Sequence, residues 1–219
     1  MKDYFKRNTP IFYIGIATAI VFISIIIAGQ NTPNVQPSLS PTEEKDLFTE
    51  KDQIIGFKEA RVTLVEFMDY TCLYCKTINP TLKNLIAGNK NKLRIIVRNF
   101  PLKDNPGHEN AYSAALAAQA AAKFNKFEDF HNAFLETDKL DRESILTIVE
   151  RFGINKEEFI KEWDSQEVKN KVDQDLSDAS RLQLRGTPSI FLNGKIVNLQ
   201  NQDLNTVVLA EINRIYPQN

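Results

Sequence analysis

The apolar positions divide the chain into three stretches with different periods. Ile11 to Ala28 is an uncharged run of 18 residues, about 27 Å long as a helix at roughly 1.5 Å per residue, enough to cross most of a bilayer. Lys2, Lys6 and Arg7 precede it and no Lys or Arg follows before Lys45, so positive-inside bias puts residues 1–10 in the cytoplasm and the later chain outside. The run exceeds the roughly 7–15 residues of a signal-peptide core, and Ile26-Ile27-Ala28-Gly29 lacks a small-x-small cleavage site. Residues 11–28 therefore read as a transmembrane anchor, with a cleaved signal segment and secretion as the alternative. Residues 29–51, with Pro33, Pro37 and Pro41 among Asn, Gln, Ser and Thr, read as an extended linker.

In residues 52–219 the period changes. Val62-Thr63-Leu64-Val65-Glu66-Phe67-Met68 is almost continuously apolar or β-favouring, which suits a central strand covered on both faces. A helix is expected from Cys72 to about Ala87, stopped by Gly88 and interrupted by Pro80, and then a parallel strand from Leu93 to Phe100. Glu109–Phe124 is alanine-rich and helical, and Phe127–Glu136 repeats apolar residues at helical spacing. Asp141, Asn155 and Ser165 stand as N-caps of three more helices ending near Gly153, Trp163 and Leu184. Asn193-Gly194 joins Ser189–Leu192 to Ile196–Leu199 as a hairpin, and a last helix runs from about Asp203 to Tyr216. The fold class is α/β, with a helical insertion at about 107–185. Phe124, Phe127, Phe130, Phe134 and Trp163 read as core of that insertion, and some of the phenylalanines could instead form an apolar lip for substrate.

Composition narrows the function. Of 219 residues, 27 are basic and 28 acidic, a formal net charge of −1, so no concentrated basic surface argues for nucleic acid. The chain carries two cysteines, Cys72 and Cys75, too few for a framework of several bridges. No glycine-rich phosphate loop, catalytic triad context or paired metal-binding carboxylates emerge.

Cysteines three apart on a first helical turn share a face, within reach of a disulfide. At a helix N-terminus, free N–H groups and the macrodipole stabilise a thiolate, and C-x-x-C sites lower a cysteine pKa from about 8.5 to as little as about 3.5–7. Cys72 is thus the expected nucleophile and Cys75 the resolving thiol. A structural bridge is the weaker alternative, since so short a loop gains little chain entropy. A zinc site would have to recruit His108 and His131 at spacings unlike compact zinc modules. Both histidines read instead as surface or helix-end residues, and no metal or external cofactor is expected.

Glu66 shares a strand face with Leu64 and Met68. A buried carboxylate tends to a raised pKa and could exchange a proton with Cys75, or it could be a structural partner of Arg98 or Lys83.

The stretch from Val62 through Cys72-Leu73-Tyr74-Cys75, the Phe100-Pro101-Leu102 after the next strand, and Gly186-Thr187-Pro188-Ser189-Ile190-Phe191-Leu192-Asn193-Gly194 resemble the DsbA-like thiol–disulfide oxidoreductases. The resemblance covers about residues 52–216 and implies a thioredoxin-like fold. It implies a cis bond before Pro188, with the Thr187 backbone free to pair with a substrate peptide. The plainer alternative is that Gly186-Thr187-Pro188 ends a helix and opens a strand. It also supports the proton-exchange role of Glu66, and Leu73 and Tyr74 flank the site where substrate would lie. The implied activity is oxidation of thiols in unfolded or cysteine-containing exported proteins, in the periplasm or on the outer surface of a bacterial cytoplasmic membrane. A second redox partner would reset the pair. A reductase or isomerase of the same fold is the alternative within the class, and a non-catalytic binding or holdase module the alternative outside it. Leu73 stands where proline is frequent, and the Leu73-Tyr74 dipeptide brings no positive charge. The Cys72 thiolate should therefore be less stabilised than in the strongest oxidants, moving the potential toward reduction.

Overall fold

The computed structural model describes residues 47–217; the expected membrane segment at 11–28 and most of the linker lie outside them. Among the described residues no helix is long and apolar enough to cross a membrane. Five strands, β1 (Gln53–Gly56), β2 (Val62–Met68), β3 (Leu93–Asn99), β4 (Ser189–Leu192) and β5 (Lys195–Ile196), form one sheet in the order β1-β3-β2-β4-β5. β2 runs parallel to β3, with Val62 opposite Leu93 and Met68 opposite Asn99. It is antiparallel to β4, with Glu66 opposite Ile190.

Every residue of β2 is buried because both faces of the sheet are covered. Alternation along the strand sends Val62, Leu64 and Met68 into the larger core. Val65 and Phe67 go to a second cluster with Ile96, Phe191, Ala179, Leu182 and Leu47. This two-sided covering is why the sequence shows a continuous apolar run rather than an alternating one.

Helix α1 (Leu73–Gly88) follows β2 directly and contains Pro80. Between β3 and β4 lie α2 (Ala111–Ala121), a short 3₁₀ turn (Ala122–Phe124), α3 (Phe127–Leu135), α4 (Arg142–Arg151), α5 (Lys156–Trp163) and α6 (Gln166–Arg181). Helix α7 (Leu204–Ile215) closes the described chain. The small side chains of α2, with Ala114, Ala117, Ala118, Ala120 and Ala121 fully buried, let α3, α5 and α6 pack closely around it. Phe130 stacks on Phe159 with centroids 5.4 Å apart, and the Trp163 indole N–H donates to the Ser113 carbonyl at 2.9 Å. The expected caps form: Asp141, Asn155 and Ser165 accept from the backbone N–H groups of Ser144, Glu158 and Val168. Asp203 does the same for Thr206.

Three local expectations are revised. β1, antiparallel to β3, was not anticipated: four residues are too few for a legible period. It ends at Gly56, whose φ of +95° suits glycine and whose absent Cβ would meet the Leu93 carbonyl at 2.8 Å. The hairpin turn forms with Asn193 and Gly194 both at positive φ, as a type I′ turn needs. Its second strand stops at Ile196, because Asn198 starts a turn in which its N–H bonds Gln202 and its carbonyl accepts from Asn201. Finally Leu47, within the expected linker, is 1% exposed. Its carbonyl accepts from Arg98, and the buried Arg98 guanidinium also holds Asp175 at 2.7 Å, Asp178 at 2.6 Å and Asp52 at 3.3 Å. A buried cation needs several acceptors, and meeting that need ties residues 47–52 to α6.

Candidate active site

Cys72 is the N-cap of α1, with an extended backbone and no side-chain cap hydrogen bond, ahead of the free N–H groups of the first turn. It is 9% exposed. The Cys72 pKa falls from 9.0 to about 5. The largest cause is the hydrogen bond from the Cys75 thiol; burial opposes it, and the Thr187 side chain and the backbone N–H groups of Cys75 and Tyr74 add to the lowering. Both cysteines are free thiols. The Cys72 thiol lies 3.4 Å from the Thr187 carbonyl, to which it donates. Thr187 precedes Pro188 through a cis peptide bond, and its buried hydroxyl has no hydrogen-bond partner. That hydroxyl is available as a donor once Cys72 ionises.

Cys75, one turn further in, is buried and its pKa is pushed up, first by burial and then by donating to Cys72 and by the negative charges of Glu66 and Cys72. The two thiols thus differ in the direction that exchange chemistry requires: an outer sulfur that ionises easily and an inner one that holds its proton. Glu66 is 2% exposed and its pKa rises from 4.5 to about 8, through burial first and the Cys72 charge second. Neither expected ionic partner reaches it. Arg98 is held by Asp52, Asp175 and Asp178 on the other side of the sheet, and Lys83 pairs with Glu136 at 2.9 Å. Glu66 Oε2 is buried with no hydrogen-bond partner.

Leu73 and Tyr74 lie at the surface, 76% and 48% exposed, an apolar rim beside the outer sulfur. The phenylalanines do not join it: Phe127, Phe130 and Phe134 are buried in the core.

Two buried contacts escaped the sequence reading. The Asp69 carboxylate accepts from the Thr71 N–H and hydroxyl at 2.7 Å each, from the Leu102 N–H at 2.9 Å and from His108 Nδ1 at 2.7 Å. It thereby pins the loop after β3 to the turn that presents Cys72. An aspartate just ahead of a helix start signals a local turn, but its partner 39 residues later has no local signature. His131 is not at the surface as expected. It is 3% exposed, its Nδ1 lies 3.2 Å from the Tyr70 hydroxyl, and burial followed by the Lys83 charge lowers its pKa to about 4. Tyr70 in turn has its pKa raised by burial first and then by Glu66 and Cys75. Among the described residues no cluster of His, Cys, Asp and Glu is arranged to hold a metal ion.

Comparison with known proteins agrees with this fold. The chain is similar over 82% of its length, with a TM-score of 0.69 and 24% identity, to the whole of a thioredoxin-like oxidoreductase from Silicibacter pomeroyi. It matches the thiol-disulfide exchange protein alpha-DsbA2 from Wolbachia pipientis with a TM-score of 0.70 and 24% identity, over 80% of this chain and 92% of that one. Among curated proteins it is 29% identical over 83% of its length to part of a Na(+)/H(+) antiporter NhaA from Herminiimonas arsenicoxydans, covering 30% of that protein. The chain thus spans under a third of the length of the curated relatives it matches. The family model described as Thioredoxin aligns with residues 49–209. On that match the chain belongs to the thioredoxin family, in a form with a helical insertion between the third and fourth strands.

Proposed function

We propose that the protein is an extracytoplasmic thiol–disulfide oxidoreductase, tethered to a bacterial membrane by residues 11–28, whose main activity is oxidation of dithiols in unfolded or cysteine-containing exported proteins. The observation that carries this reading is the pairing of an easily ionised Cys72 at a helix N-terminus with a buried, proton-holding Cys75. In the oxidised enzyme a substrate thiolate attacks the Cys72 sulfur. The Cys72–Cys75 bond breaks, and Cys75 leaves as a thiolate that takes the proton of Glu66. A second substrate thiolate then attacks the substrate sulfur of the mixed disulfide and expels Cys72 as the stabilised thiolate, so the substrate is oxidised by two electrons and the pair is reduced. Leu73 and Tyr74 receive apolar side chains of the substrate, while the Thr187 backbone ahead of Pro188 pairs with its main chain. The redox-active pair serves in place of an external cofactor. A membrane or extracytoplasmic redox partner restores the disulfide. The similarity to antiporters covers under a third of their length, and no transport is proposed for this chain.

The experiment is trapping in cells. Cys75→Ala should accumulate mixed disulfides through Cys72, and the wild-type pair should be mostly oxidised in vivo. A mostly reduced pair would make the protein a reductase or isomerase. The absence of any trapped species would leave a binding module.

A further inference from the structure

At the end of the sheet away from Cys72, a cleft of about 1020 Å³ opens between the start of β2, the Asn193-Gly194 turn, the second half of α7 and the first described residues, Leu47 and Phe48. Its floor is apolar, with Val65 and Ile196, and its charged rim is basic: Arg61, Arg94, Lys195 and Arg214 stand against the single carboxylate of Glu211. Arg214 is spent on that carboxylate, at 2.7 and 2.8 Å, and Glu211 also accepts from the Asn193 amide at 2.8 Å. Arg94 donates to the Thr63 hydroxyl at 2.8 Å and to the Lys58 carbonyl at 2.7 Å, and Arg61 stands over the Tyr216 ring at 5.7 Å. These partners are neutral, and among the described residues no carboxylate forms an ion pair with Arg61, Arg94 or Lys195. Three cations around one cleft repel one another, in a chain whose formal net charge is −1.

The chain that enters the domain here is acidic. Pro41-Thr42-Glu43-Glu44-Lys45-Asp46 immediately precedes Leu47, and four residues of fully extended chain reach at most about 14 Å. Covalent geometry therefore keeps the carboxylates of Glu43, Glu44 and Asp46 in the neighbourhood of the cleft. The described residues already begin the contact: Leu47 is 1% exposed, and the Arg94 guanidinium lies 5.3 Å from the centre of the Phe48 ring. We propose that the cleft is the docking site of residues 42–46, whose Glu43, Glu44 and Asp46 carboxylates pair with Arg61, Arg94 and Lys195, and that this clamp fixes the place where the linker leaves the domain.

Attachment within one chain supplies what isolated surface ion pairs lack. A single exposed pair contributes little. Carboxylates held a few residues from the cleft are present there at roughly millimolar effective concentration, and they meet three cations over an apolar floor, where charges interact more strongly than in open water. The clamp also sets a direction. β2 has seven residues, about 20 Å from first to last at roughly 3.3 Å per residue. The cleft gathers around its beginning, and Cys72 follows its end. A linker held at the cleft therefore leaves the domain from the end opposite the redox centre. With residues 11–28 as a tether, a consequence that rests on the reading proposed above, Leu73 and Tyr74 then face away from the membrane and toward exported substrates.

The test is limited trypsin digestion of the full chain in neutral detergent micelles, because Lys45 is the sole trypsin site between Arg7 and Lys51. Cleavage at Lys45 should speed up about three- to tenfold in Arg61→Ala/Lys195→Ala, the worth of two or three exposed ion pairs. Glu43→Gln/Glu44→Gln should speed it in the otherwise wild-type chain, and by a clearly smaller factor in the Arg61→Ala/Lys195→Ala background. Comparing the two factors cancels the direct effect of nearby carboxylates on trypsin, and equal factors would overturn the proposal. Arg61 and Lys195 are exposed; if the double variant does not fold, Lys195→Ala alone decides. The unmodified protein gives a second readout: zero-length carbodiimide coupling should join Glu43, Glu44 or Asp46 to Lys195, and Lys195 joined only to other carboxylates would overturn the clamp. Protection of Lys45 that appears only when phosphatidylglycerol is added would give the cleft to a membrane headgroup, and protection that depends on protein concentration would give it to a second copy. Either result overturns the proposal. No readout here uses thiol exchange, so failure of the clamp leaves the mixed disulfides trapped by Cys75→Ala, and the exchange reading, untouched.

Discussion

The Cys72 thiol and the Thr187 carbonyl lie 3.4 Å apart although 115 residues separate them in the chain. The contact joins the N-terminus of α1 to the turn that opens β4, and it places an unpartnered hydroxyl, Thr187 Oγ1, beside the outer sulfur.

Replacing that hydroxyl should weaken the thiolate. A hydrogen bond to a charged group contributes about 1.5–3 kcal/mol, and one pKa unit corresponds to about 1.4 kcal/mol. Thr187→Val should therefore raise the Cys72 pKa by about 1–2 units and move the redox potential toward reduction. Thiolate absorbance against pH, and equilibration with glutathione, would check it. For the wild type, a potential more oxidising than about −130 mV, near the value for DsbA, would contradict the expectation drawn from the Leu73-Tyr74 dipeptide.

The dependence of stability on pH should come from two opposed groups in the dithiol form. Glu66 has a folded pKa raised to about 8, so its contribution is fully present below about 4.5 and is lost as pH rises through 8. Cys72 has a folded pKa lowered to about 5, so its contribution is present above about 9 and is lost as pH falls through 5. The two slopes oppose each other between pH 5 and 8. His131, whose pKa burial lowers from 6.5 to about 4, adds its own rise of stability with pH up to about 6.5, so between about pH 6.5 and 8 thermal unfolding should show stability falling with pH in Cys72→Ser and rising with pH in Glu66→Gln, with the wild type flatter than either.

Leu73 is mostly exposed beside the outer sulfur, and fully burying a leucine is worth about 1.5–3 kcal/mol. If substrate covers even half of it, Leu73→Asp should raise KM for an unfolded protein thiol about three- to tenfold. Stability should change by less than about 0.5 kcal/mol, as for exposed positions generally. Steady-state oxidation of a reduced, unfolded substrate, alongside denaturant unfolding, separates the two effects.

Arg98 should matter for the opposite reason. Arg98→Ala would leave the buried Asp52 and Asp175 to Lys171 alone, at a cost of up to about 3–5 kcal/mol. The network lies across the sheet from Cys75 and Glu66, so the exchange rate per folded molecule should hold. Denaturant midpoints together with rates normalised to the folded fraction would check this.

Much of the fold was legible because its signals are local. Asp141, Asn155 and Ser165 cap helices through backbone groups three residues away, Asn193-Gly194 makes its turn with its own dihedrals, and β2 declares its two-sided burial in its own composition. β1 was not legible, since its existence depends on the exposed edge of β3 that it covers.

The site divides in the same way. The Cys72-Leu73-Tyr74-Cys75 spacing, the strand ahead of it and the Thr187-Pro188 pair point to the proposed chemistry, because a cysteine at a helix start is stabilised by the backbone of its own first turn. Which groups surround those sulfurs is decided by topology. The structure pairs Tyr70 with His131, Asp69 with His108, and Arg98 with Asp175, at separations of 61, 39 and 77 residues. It also leaves Glu66 without the ionic partner that charge alone would have suggested, facing a pocket between α1 and α3. Sequence spacing carries no information about such contacts. They exist because the parallel β2–β3 pair and the inserted helices bring distant segments into one low-dielectric volume, where each polar group must find a partner or hold a proton.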